Sequence, residues 1–422
     1  MKRYNSYKLT GIQWLPEIPS HWEVLRFGSL FKRKPSINEP GEELLSVFLD
    51  RGVIKASESD KRTHQASEDL SKYQLVEPSD FVMNNQQAWR GSVGVSDYTG
   101  IISPAYHIFP MPSCYDSHYA NYLLRDRVMV NLFDISSKGV GSIQRTLNFS
   151  WLNNGKCLVP PIEEQERIVA YLDKKITLIE SCKCQREREL QTLNELKQAE
   201  IASVVTRGLN PNVPMKDSGQ VQFGEIPAHW DSVKMKYCFT QRSEKGFPNE
   251  PVLCATQSKG VIPQSLYENR VVVVNKGFEG LKLVKVGDFV ISLRSFQGGI
   301  EYAYYQGIIS AAYTILTPKD ERNSKYFKYL FKSHPFIQLL QTCVTGIREG
   351  QNINYAVLGN NFIPIPPIDE QNAIVEYIEA KTNSIDKMID ALKAEIDRLT
   401  EYKQRLISDV VTGQLNVQDE TA

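Results

Sequence analysis

Two stretches of this sequence, 206 residues apart, are nearly the same. Residues 160–175 read PPIEEQERIVAYLDKK and residues 366–381 read PPIDEQNAIVEYIEAK, with nine of the sixteen positions identical. Four further segments recur in the same order at offsets of 206 to 208 residues: EIPSHW at 17–22 and EIPAHW at 225–230, SDFV at 79–82 and GDFV at 287–290, GIISPAYHI at 100–108 and GIISAAYTI at 307–315, and ASVVTRGLN at 202–210 and SDVVTGQLN at 408–416. Chance matches do not stay collinear, so the chain consists of two copies of a unit of roughly 206 residues. This period is far longer than that of a solenoid repeat, and each copy is long enough to hold its own core.

Each copy changes character once along its length. The first part is rich in Gly, Pro and aromatic residues and contains short β-branched runs, which predict strands and turns with a few helices. The second part has neither Gly nor Pro from residue 162 to 207 in the first copy, and from residue 368 to 412 in the second. Each of these stretches predicts a long helix.

The ends of the two predicted helices carry matching signals. Pro161 and Pro367 suit a first helical turn, where a missing N–H costs nothing. Gly208 and Gly413 suit the left-handed conformation that closes many helices. A Thr-Asn-Ser sequence at 382–384 is a possible internal break, because these residues cap the start of a second helix.

The apolar residues of both helices recur at spacings of three and four, which is the pattern of a coiled-coil interface. They are Ile385, Met388, Leu392, Ile396, Leu399, Tyr402, Leu406 and Val410 in the second copy, and Ile179, Cys182, Leu193, Leu196 and Val204 in the first. If a two-fold rotation relates the copies, these helices pack antiparallel. The sequence thus predicts an α+β fold, with two mixed α/β domains separated and joined by two long antiparallel coiled-coil helices and with internal two-fold pseudo-symmetry. The predicted boundaries are 1–159 for the first domain, 160–212 for the first helical region, 213–365 for the second domain, 366–415 for the second helical region and 416–422 for a tail.

Composition indicates a protein of the reducing cytoplasm. The chain is 41% hydrophobic and 23% charged, and it has no run of about 18 apolar residues that would span a membrane. The basic N-terminus lacks the apolar stretch of a secretory signal. Seven scattered cysteines do not form a disulfide framework.

Charge is distributed unevenly along the chain. Formal net charge is zero, which counts mildly against a uniformly basic nucleic-acid binder. The first 35 residues, however, contain seven basic and two acidic side chains, a balance of 7 − 2 = +5. Two basic clusters are candidates for phosphate contacts, and their members are Lys32, Arg33, Lys34, Lys61 and Arg62. The alternative is that both clusters are simply solvated.

Sequence signatures of catalysis are missing. There is no G-x-x-x-x-G-K-[ST] phosphate loop, which disfavours ATP hydrolysis by this chain. Val159 and Ile365 precede the two Pro-Pro pairs, where the amine-binding loop of amino-methyltransferases has Asn or Asp. The closest cysteines are two residues apart on a predicted helix and do not face each other, so a zinc site is not expected. His21 and His229 occupy equivalent places in the repeat, which favours a packing role over acid–base catalysis.

The strongest candidates for a binding surface are two loops that follow equivalent predicted strands. Residues 84–91 read NNQQAWRG and residues 292–299 read SLRSFQGG. In the major groove of DNA, Arg recognises guanine and Asn or Gln recognises adenine, while Gly allows the backbone to approach closely. The candidate base-contacting residues are Asn84, Gln86, Gln87, Trp89, Arg90, Arg294, Ser295 and Gln297. The alternative is that both are ordinary loops at strand ends, each around a buried Trp89 or Phe296.

The doubled order of these segments resembles the specificity subunits of type I restriction–modification systems. The resemblance covers almost the whole chain, through EIP-x-HW, a strand followed by a polar loop, GIIS-x-AY, and PP-I-x-EQ before a long helix. It implies two target-recognition domains that each read one half of a split double-stranded DNA site. It also implies a non-catalytic chain whose helices form an antiparallel coiled coil and dock two methyltransferase subunits, with restriction subunits joining the full complex. S-adenosylmethionine, ATP and Mg²⁺ are then expected on the partner subunits, with no cofactor in this chain.

The resemblance also suggests why PP-x-x-EQ occurs twice, since two identical partners would each need the same docking surface. The candidate docking residues are Glu164, Gln165, Ile168, Tyr171, Glu370, Gln371, Ile374 and Tyr377. The interiors of the two domains, 38–72 and 248–285, have little similarity. Two unlike domains on one symmetric framework would recognise an asymmetric, two-part sequence.

Two other functions are compatible with parts of the sequence. One is a coiled-coil scaffold without DNA recognition, which the two large aromatic-rich domains disfavour. The other is a solitary nuclease or methyltransferase, which the missing catalytic motifs disfavour.

Overall fold

The chain forms two compact units. The computed structural model describes residues 2–35, 41–58, 69–140, 144–267, 277–320, 324–345 and 352–418. Unit 1 comprises Met1–Arg186 together with Glu395–Ala422, and unit 2 comprises Glu187–Ala394. Each unit therefore includes part of both long helices, whereas the predicted boundaries gave each helical region a segment of its own.

The helices of the described residues are mostly short, apart from two. They are α1 (Phe27–Leu30), α2 (Ser117–Arg125), α3 (Arg127–Ile135), α4 (Phe149–Leu152), α5 (Ile162–Arg207), α6 (Met235–Cys238), α7 (Ser295–Gly298), α8 (Ser324–Leu330), α9 (His334–Thr342), α10 (Tyr355–Leu358) and α11 (Ile368–Val411). Helices α5 and α11 are the two long helices that the absence of Gly and Pro predicts. Gly208 and Gly413 follow their ends with φ of 75° and 71°, as expected for left-handed terminating residues.

The predicted break at 382–384 is wrong, because α11 continues through it. Ile378 and Ile385, on either side of this segment, are both buried. Thr, Asn and Ser each cost at most about 0.7 kcal/mol in a helix interior. Burial of each flanking isoleucine contributes about 1.5–3 kcal/mol, so packing outweighs local preference.

The strands are short and pair in antiparallel fashion. In unit 1 they are β1 (Tyr7–Ile12), β2 (Leu15–Pro19), β3 (Glu23–Arg26), β4 (Leu45–Phe48), β5 (Gly52–Lys55), β6 (Gln74–Val76), β7 (Phe81–Asn84), β8 (Val93–Val95), β9 (Gly100–Ile102), β10 (Tyr106–Phe109), β11 (Ser137–Val140), β12 (Gln144–Leu147) and β13 (Lys156–Val159). In unit 2 they are β14 (Met215–Asp217), β15 (Glu225–Pro227), β16 (Asp231–Lys234), β17 (Phe239–Arg242), β18 (Leu253–Thr256), β19 (Gly260–Pro263), β20 (Lys282–Val284), β21 (Phe289–Ile291), β22 (Glu301–Tyr302), β23 (Gly307–Ile309), β24 (Thr314–Pro318), β25 (Val344–Thr345), β26 (Asn352–Ile353) and β27 (Phe362–Ile365).

The same pairings recur in both units. The strand after the HW dipeptide pairs with the strand before the long helix, β3 with β13 in unit 1 and β16 with β27 in unit 2. The strand of the repeated DFV segment lies inside a small sheet, of order β10-β7-β8 in unit 1 and β17-β24-β21-β22 in unit 2. The sequence repeat is thus a repeat of structure.

Each unit has an aromatic core to which both long helices contribute. Trp22 and Trp230 are fully buried at equivalent positions. Unit 1 packs Leu172 of α5 and Val410 of α11 into its core, and unit 2 packs Val205 of α5 and Ile378 of α11. The other core residues from these helices are Ile168, Tyr171, Ile179, Leu406 and Val411 in unit 1, and Ile201, Val204, Ile374 and Val375 in unit 2.

The long helices run antiparallel within each unit. In unit 1 the contacts are Lys403 with Glu180 at 2.7 Å and Arg186 with Glu395 at 3.0 Å. In unit 2 Lys197 bonds Asp386 at 2.5 Å, and Tyr377 bonds Glu200 at 2.5 Å. In both pairs of contacts, residue numbers rise along α5 as they fall along α11. The antiparallel arrangement agrees with the expectation from the repeat.

The repeated DFV segment supplies a buried ion pair in each unit. Asp80 accepts from Lys34 Nζ at 2.7 Å, and Asp288 accepts from Arg242 Nε at 3.0 Å. The preceding residue is left-handed in both copies, Gly287 at φ 92° and Ser79 at φ 70°. Ser79 is the only non-glycine residue with positive φ in the described part of the chain. In each unit the aspartate thus meets a cation 46 residues earlier in the chain.

Glycine in the repeated GIIS segment is required by close backbone approach. A Cβ on Gly100 would lie 2.5 Å from the carbonyl oxygen of Glu43, and one on Gly307 would lie 2.3 Å from that of Pro251. No real Cβ contact is that short, so a side chain at either position would displace the neighbouring strand.

Candidate nucleic-acid interface and partner surface

The repeated HW and PP-x-x-EQ segments meet each other. In unit 1 His21 Nε2 lies 2.7 Å from Glu164 Oε2, and the Tyr4 hydroxyl donates to Glu164 Oε1. In unit 2 His229 Nε2 lies 2.8 Å from Glu370 Oε2, which also accepts from the indole N–H of Trp230 at 3.0 Å. The two histidines therefore have the packing role that their symmetric placement favours.

The glutamine of PP-x-x-EQ is used internally as well. Gln165 Nε2 donates to the carbonyls of Cys114 and Pro160 at 2.8 Å each, and its Oε1 accepts from the Asp116 N–H at 2.9 Å. Gln371 Nε2 donates to the Pro366 carbonyl at 2.8 Å. The Gln165 bonds fix the start of α5 against its own unit, whereas the Gln371 bond is local to the start of α11.

The opposite helix end reaches the same place. In unit 1 Tyr119 donates to the Val411 carbonyl at 2.8 Å, at the end of α11. In unit 2 Tyr326 donates to the Val205 carbonyl at 2.8 Å, near the end of α5. Three repeated segments thus converge in each unit: the HW dipeptide, the start of one long helix and the end of the other.

This geometry corrects the predicted docking surface. Gln165, Ile168, Gln371 and Ile374 are at most 2% exposed, and Glu164 and Tyr171 are also buried. They cannot form an exposed surface because they pack inside their own unit. Glu370 is partly buried, and Tyr377 is 37% exposed but bonded to Glu200. The PP-x-x-EQ segment recurs because each unit needs the same internal junction.

Exposed apolar side chains do occur on the long helices, at other positions. They are Ile162, Leu178 and Tyr402 in unit 1, and Leu196, Tyr377 and Met388 in unit 2. Leu196 and Tyr402 occupy equivalent positions of the repeat, 206 residues apart. Sequence analysis placed three of these residues, Leu196, Met388 and Tyr402, in the helix–helix interface.

The 84–91 loop of unit 1 is an ordered turn with exposed amides. Asn84 Oδ1 accepts from the N–H groups of Gln86 at 2.9 Å and Gln87 at 3.2 Å. Asn84 therefore shapes the loop with its Oδ1 atom and is half-exposed, and the side chains of Gln86 and Gln87 are exposed. Gly91 ends the loop in a left-handed conformation at φ 95°.

Two guanidinium groups lie close to the Trp89 side chain. Arg90 Cζ is 5.2 Å and Arg145 Cζ is 4.6 Å from the centre of a Trp89 ring, within cation–π range. The indole N–H donates to the Gln86 carbonyl at 3.0 Å, and Arg145 also pairs with Asp134 at 2.5 Å. Trp89 is half-buried, not fully buried. Sequence analysis missed Arg145 because it lies 55 residues beyond the loop.

The 292–299 loop of unit 2 has the same position and different chemistry. Arg294 and Gln297 are exposed, and a one-turn helix, α7, replaces the turn of unit 1. Ser295 is buried, and its hydroxyl accepts from the Ser292 N–H at 2.8 Å. Its assignment as a base contact is wrong because it stabilises the loop from inside.

The basic clusters are only partly available for phosphate. Lys34 is paired with Asp80 and with Glu77, at 2.7 and 2.5 Å, and is therefore neutralised. Burial opposes its charge, but the two carboxylates outweigh burial and raise its pKa. Lys32 and Arg33 are exposed. The predicted contacts Lys61 and Arg62 lie outside the described residues.

The described ranges have neither a metal-binding cluster nor a membrane-spanning helix. They contain no group of three or more His, Cys, Asp or Glu side chains arranged to hold a metal ion. Within the same ranges, no helix has both the length and the apolar character needed to cross a membrane.

Comparison with known proteins shows what the chain is similar to. Residues 227–398 match the family described as type I restriction modification DNA specificity domain. A Methanocaldococcus jannaschii chain, named provisionally as the type I restriction enzyme MjaX specificity subunit, is 25% identical over 95% of both chains. The type I restriction enzyme MjaVIII specificity subunit of the same organism is 23% identical over 99% of this chain and 97% of its own.

A solved structure supports the fold. A chain from work on complex assembly and conformational transition of the type I R-M system superposes with a TM-score of 0.67 at 16% identity. The alignment covers 94% of this chain and 99% of that one. The two mixed helix–strand units and the two long helices thus have the fold of that solved chain. Over 95% to 99% of its length the present chain is similar to type I restriction enzyme specificity subunits, and its residues 227–398 match the DNA specificity domain of such systems.

Proposed function

We propose that this chain reads an asymmetric, two-part double-stranded DNA site, with one half-site recognised by each unit. The observation that carries the proposal is the pair of exposed loops, 84–91 and 292–299, at equivalent positions of two repeated frameworks. Their exposed side chains differ, Gln86, Gln87 and Arg90 against Arg294 and Gln297. Amide and guanidinium groups are suited to base edges in the major groove.

Partner binding is the second part of the proposal. Two methyltransferase subunits dock on the long helices, one at each unit, and restriction subunits join the full complex in the cytoplasm. The exposed apolar residues Leu178, Leu196, Met388 and Tyr402 support this position, because covering apolar surface with a partner removes it from water, which is favourable. S-adenosylmethionine, ATP and Mg²⁺ belong to those partners.

The test of DNA reading compares two double variants in cells that also produce the methyltransferase subunits. Genome-wide methylation sequencing reports the recognised motif. Gln86→Ala with Arg90→Ala is expected to relax one half-site, and Arg294→Ala with Gln297→Ala the other. Each lost bidentate base contact costs about 1–3 kcal/mol of discrimination.

A matched control is Asn212→Ala, which removes an exposed amide far along the chain from either loop. Its motif should match that of the unaltered chain. If both double variants relaxed both half-sites equally, the loops would support the fold and would not read bases. A complex that retains its partners but no DNA would favour the scaffold function instead.

A further inference from the structure

One cation occupies the same repeat position in both units. The segments YLLRDR at 122–127 and YLFKSH at 329–334 correspond at an offset of 207 residues, which aligns Arg125 with Lys332. Arg125 Nη2 donates to the Asp50 carbonyl at 2.7 Å and to that of Leu49 at 3.3 Å. Lys332 Nζ donates to the Gln257 carbonyl at 3.3 Å. Each cation therefore holds the turn of an equivalent β-hairpin, β4–β5 or β18–β19.

These two turns share a backbone and differ in their side chains. Both end in a left-handed glycine, Gly52 and Gly260, each at φ 74°. The exposed residues between the strands are Leu49, Asp50 and Arg51 in unit 1, and Gln257, Ser258 and Lys259 in unit 2. The repeated framework thus presents different side chains in each unit, as the two candidate loops do.

In unit 2 the turn lies directly against the candidate loop. Lys332 Nζ, which bonds the turn, also donates to the Gly298 carbonyl of the 292–299 loop at 2.9 Å and to Glu301 Oε1 at 2.5 Å. A Cβ on Gly298 would lie 3.0 Å from the side chain of Gln257. The Lys332 ammonium group therefore connects the β18–β19 turn to the 292–299 loop, and the Gln257 side chain lies where the turn contacts the loop.

The same proximity occurs in unit 1 just beyond its loop. A Cβ on Gly94 would lie 3.0 Å from the backbone of Gly52. The Ser92 hydroxyl donates to the Val47 carbonyl at 3.3 Å. Arg51 is exposed at the head of this turn, with its Cζ 5.0 Å from the ring centre of Phe48.

We propose that the β4–β5 and β18–β19 turns are a second DNA-contacting element in each unit, with Arg51 and Gln257 as specificity-determining residues and with Arg125 and Lys332 as positioning residues. This inference rests on the proposed function and extends it to segments that share no sequence motif with the candidate loops. Gln257 is suited to adenine and Arg51 to guanine, at base pairs beside those that the loops read.

The role of Lys332 follows from its three partners. Two backbone carbonyls and one buried carboxylate surround its ammonium group, so the turn and the loop keep one relative position. Arg125 bonds the turn of unit 1 from the same repeat position, and Lys332→Arg is therefore the conservative variant. Loss of the cation leaves Glu301 buried without its partner and frees the turn to move relative to the loop.

The experiment uses the full chain with its methyltransferase subunits, methylation sequencing, and binding of the mapped duplex and its single-base variants. Gln257→Ala is expected to relax one base pair of the unit 2 half-site, with about a 5- to 150-fold loss of discrimination there. Ser258→Ala, its exposed neighbour, is the matched control and should leave the motif unchanged. Arg51→Ala is expected to relax one base pair of the other half-site.

Lys332→Ala tests positioning. It should reduce discrimination at the Gln257 base pair and at those assigned to Arg294 and Gln297, and Lys332→Arg should restore it. A lowered melting temperature with every base position still discriminated would mean a structural role only and would overturn the positioning claim.

The outcome for the turns is separable from that for the loops. If the loop variants relax a half-site while Gln257→Ala and Arg51→Ala relax no base pair, the turns do not read DNA and the proposed function stands. If neither set alters the motif, both proposals fail. Because Gln257 and Arg51 are exposed, their alanine variants should fold normally even if Lys332→Ala does not.

Discussion

Replacing Gly413 by alanine should destabilise unit 1. The loss should exceed the loss caused by replacing another left-handed glycine whose added Cβ would meet no neighbouring atom. Gly413 follows α11 at φ 71°, where a Cβ costs about 1–2 kcal/mol. The added Cβ would also lie 2.4 Å from Pro19 Cδ and 3.0 Å from Trp22 Cη2, both in the repeated EIPSHW segment. Overpacking of this kind costs about 1–3 kcal/mol. The expected loss of unfolding free energy is therefore about 2–5 kcal/mol.

The matched control is Gly224→Ala. Gly224 has φ 61°, and a Cβ there would meet no atom within 4 Å, so only the backbone cost of about 1–2 kcal/mol applies. For a unit of this size each kcal/mol lowers the melting temperature by about 2–4 °C. Urea unfolding followed by tryptophan fluorescence suits the measurement, because four of the five tryptophans lie in unit 1 with Gly413 and the fifth, Trp230, lies in unit 2 with Gly224.

The difference in stability between the two variants tests the junction. A larger loss for Gly413→Ala than for Gly224→Ala would support the junction between the end of α11 and the first HW segment. Equal losses in the two variants would show that no packed contact exists at Gly413. The explanation of the repeated segments as internal junctions would then be refuted for unit 1.

Three further variants test other parts of the structure. Burial raises the pKa of Glu301 to about 7 from an unfolded value near 4.5, so its stabilising effect is complete below pH 4.5 and is lost as pH rises to 7. Glu301→Gln should remove this loss, about 3 kcal/mol, from thermal unfolding measured between pH 5 and 8. Asp288→Ala leaves Arg242 without its buried partner and should cost about 3–5 kcal/mol in urea unfolding, whereas a cost below 1 kcal/mol would contradict the pairing. Leu196→Ser and Tyr402→Ser should weaken methyltransferase binding in light scattering without lowering the melting temperature; unchanged binding would place the docking surface elsewhere.

Much of the fold was predictable because its signals are local or repetitive. Absence of Gly and Pro, with Pro161 before and Gly208 after, predicts one long helix from adjacent residues alone, and the structure has it at Ile162–Arg207. The candidate loops were recognisable because polar residues followed strands at the same place in both copies. The break at 382–384 was predicted wrongly because local capping preference takes no account of the buried isoleucines on either side.

The candidate surfaces were less predictable, since exposure depends on distant parts of the chain. PP-x-x-EQ has apolar and polar residues typical of an interface, and only the fold shows that Gln165 and Ile168 are inside it. Arg145 joins the first loop from β12, and no spacing rule connects it to Trp89. Lys34 is basic in sequence, but its charge is neutralised by Asp80, 46 residues later.

The sequence by itself determined that the chain is doubled, that each copy ends in a long helix, and that the two domains carry unlike polar loops at matched positions. Those properties follow from the order of the repeated segments, from the repeat period and from the composition of each part of the chain. Tertiary structure alone decided what the repeated segments contact, because His21 and Glu164 are separated by 143 residues and meet only when the strands and helices pack. It also decided which side chains reach solvent. Burial is a property of the whole fold, so the sequence of a repeated segment does not show whether that segment forms a surface or a core.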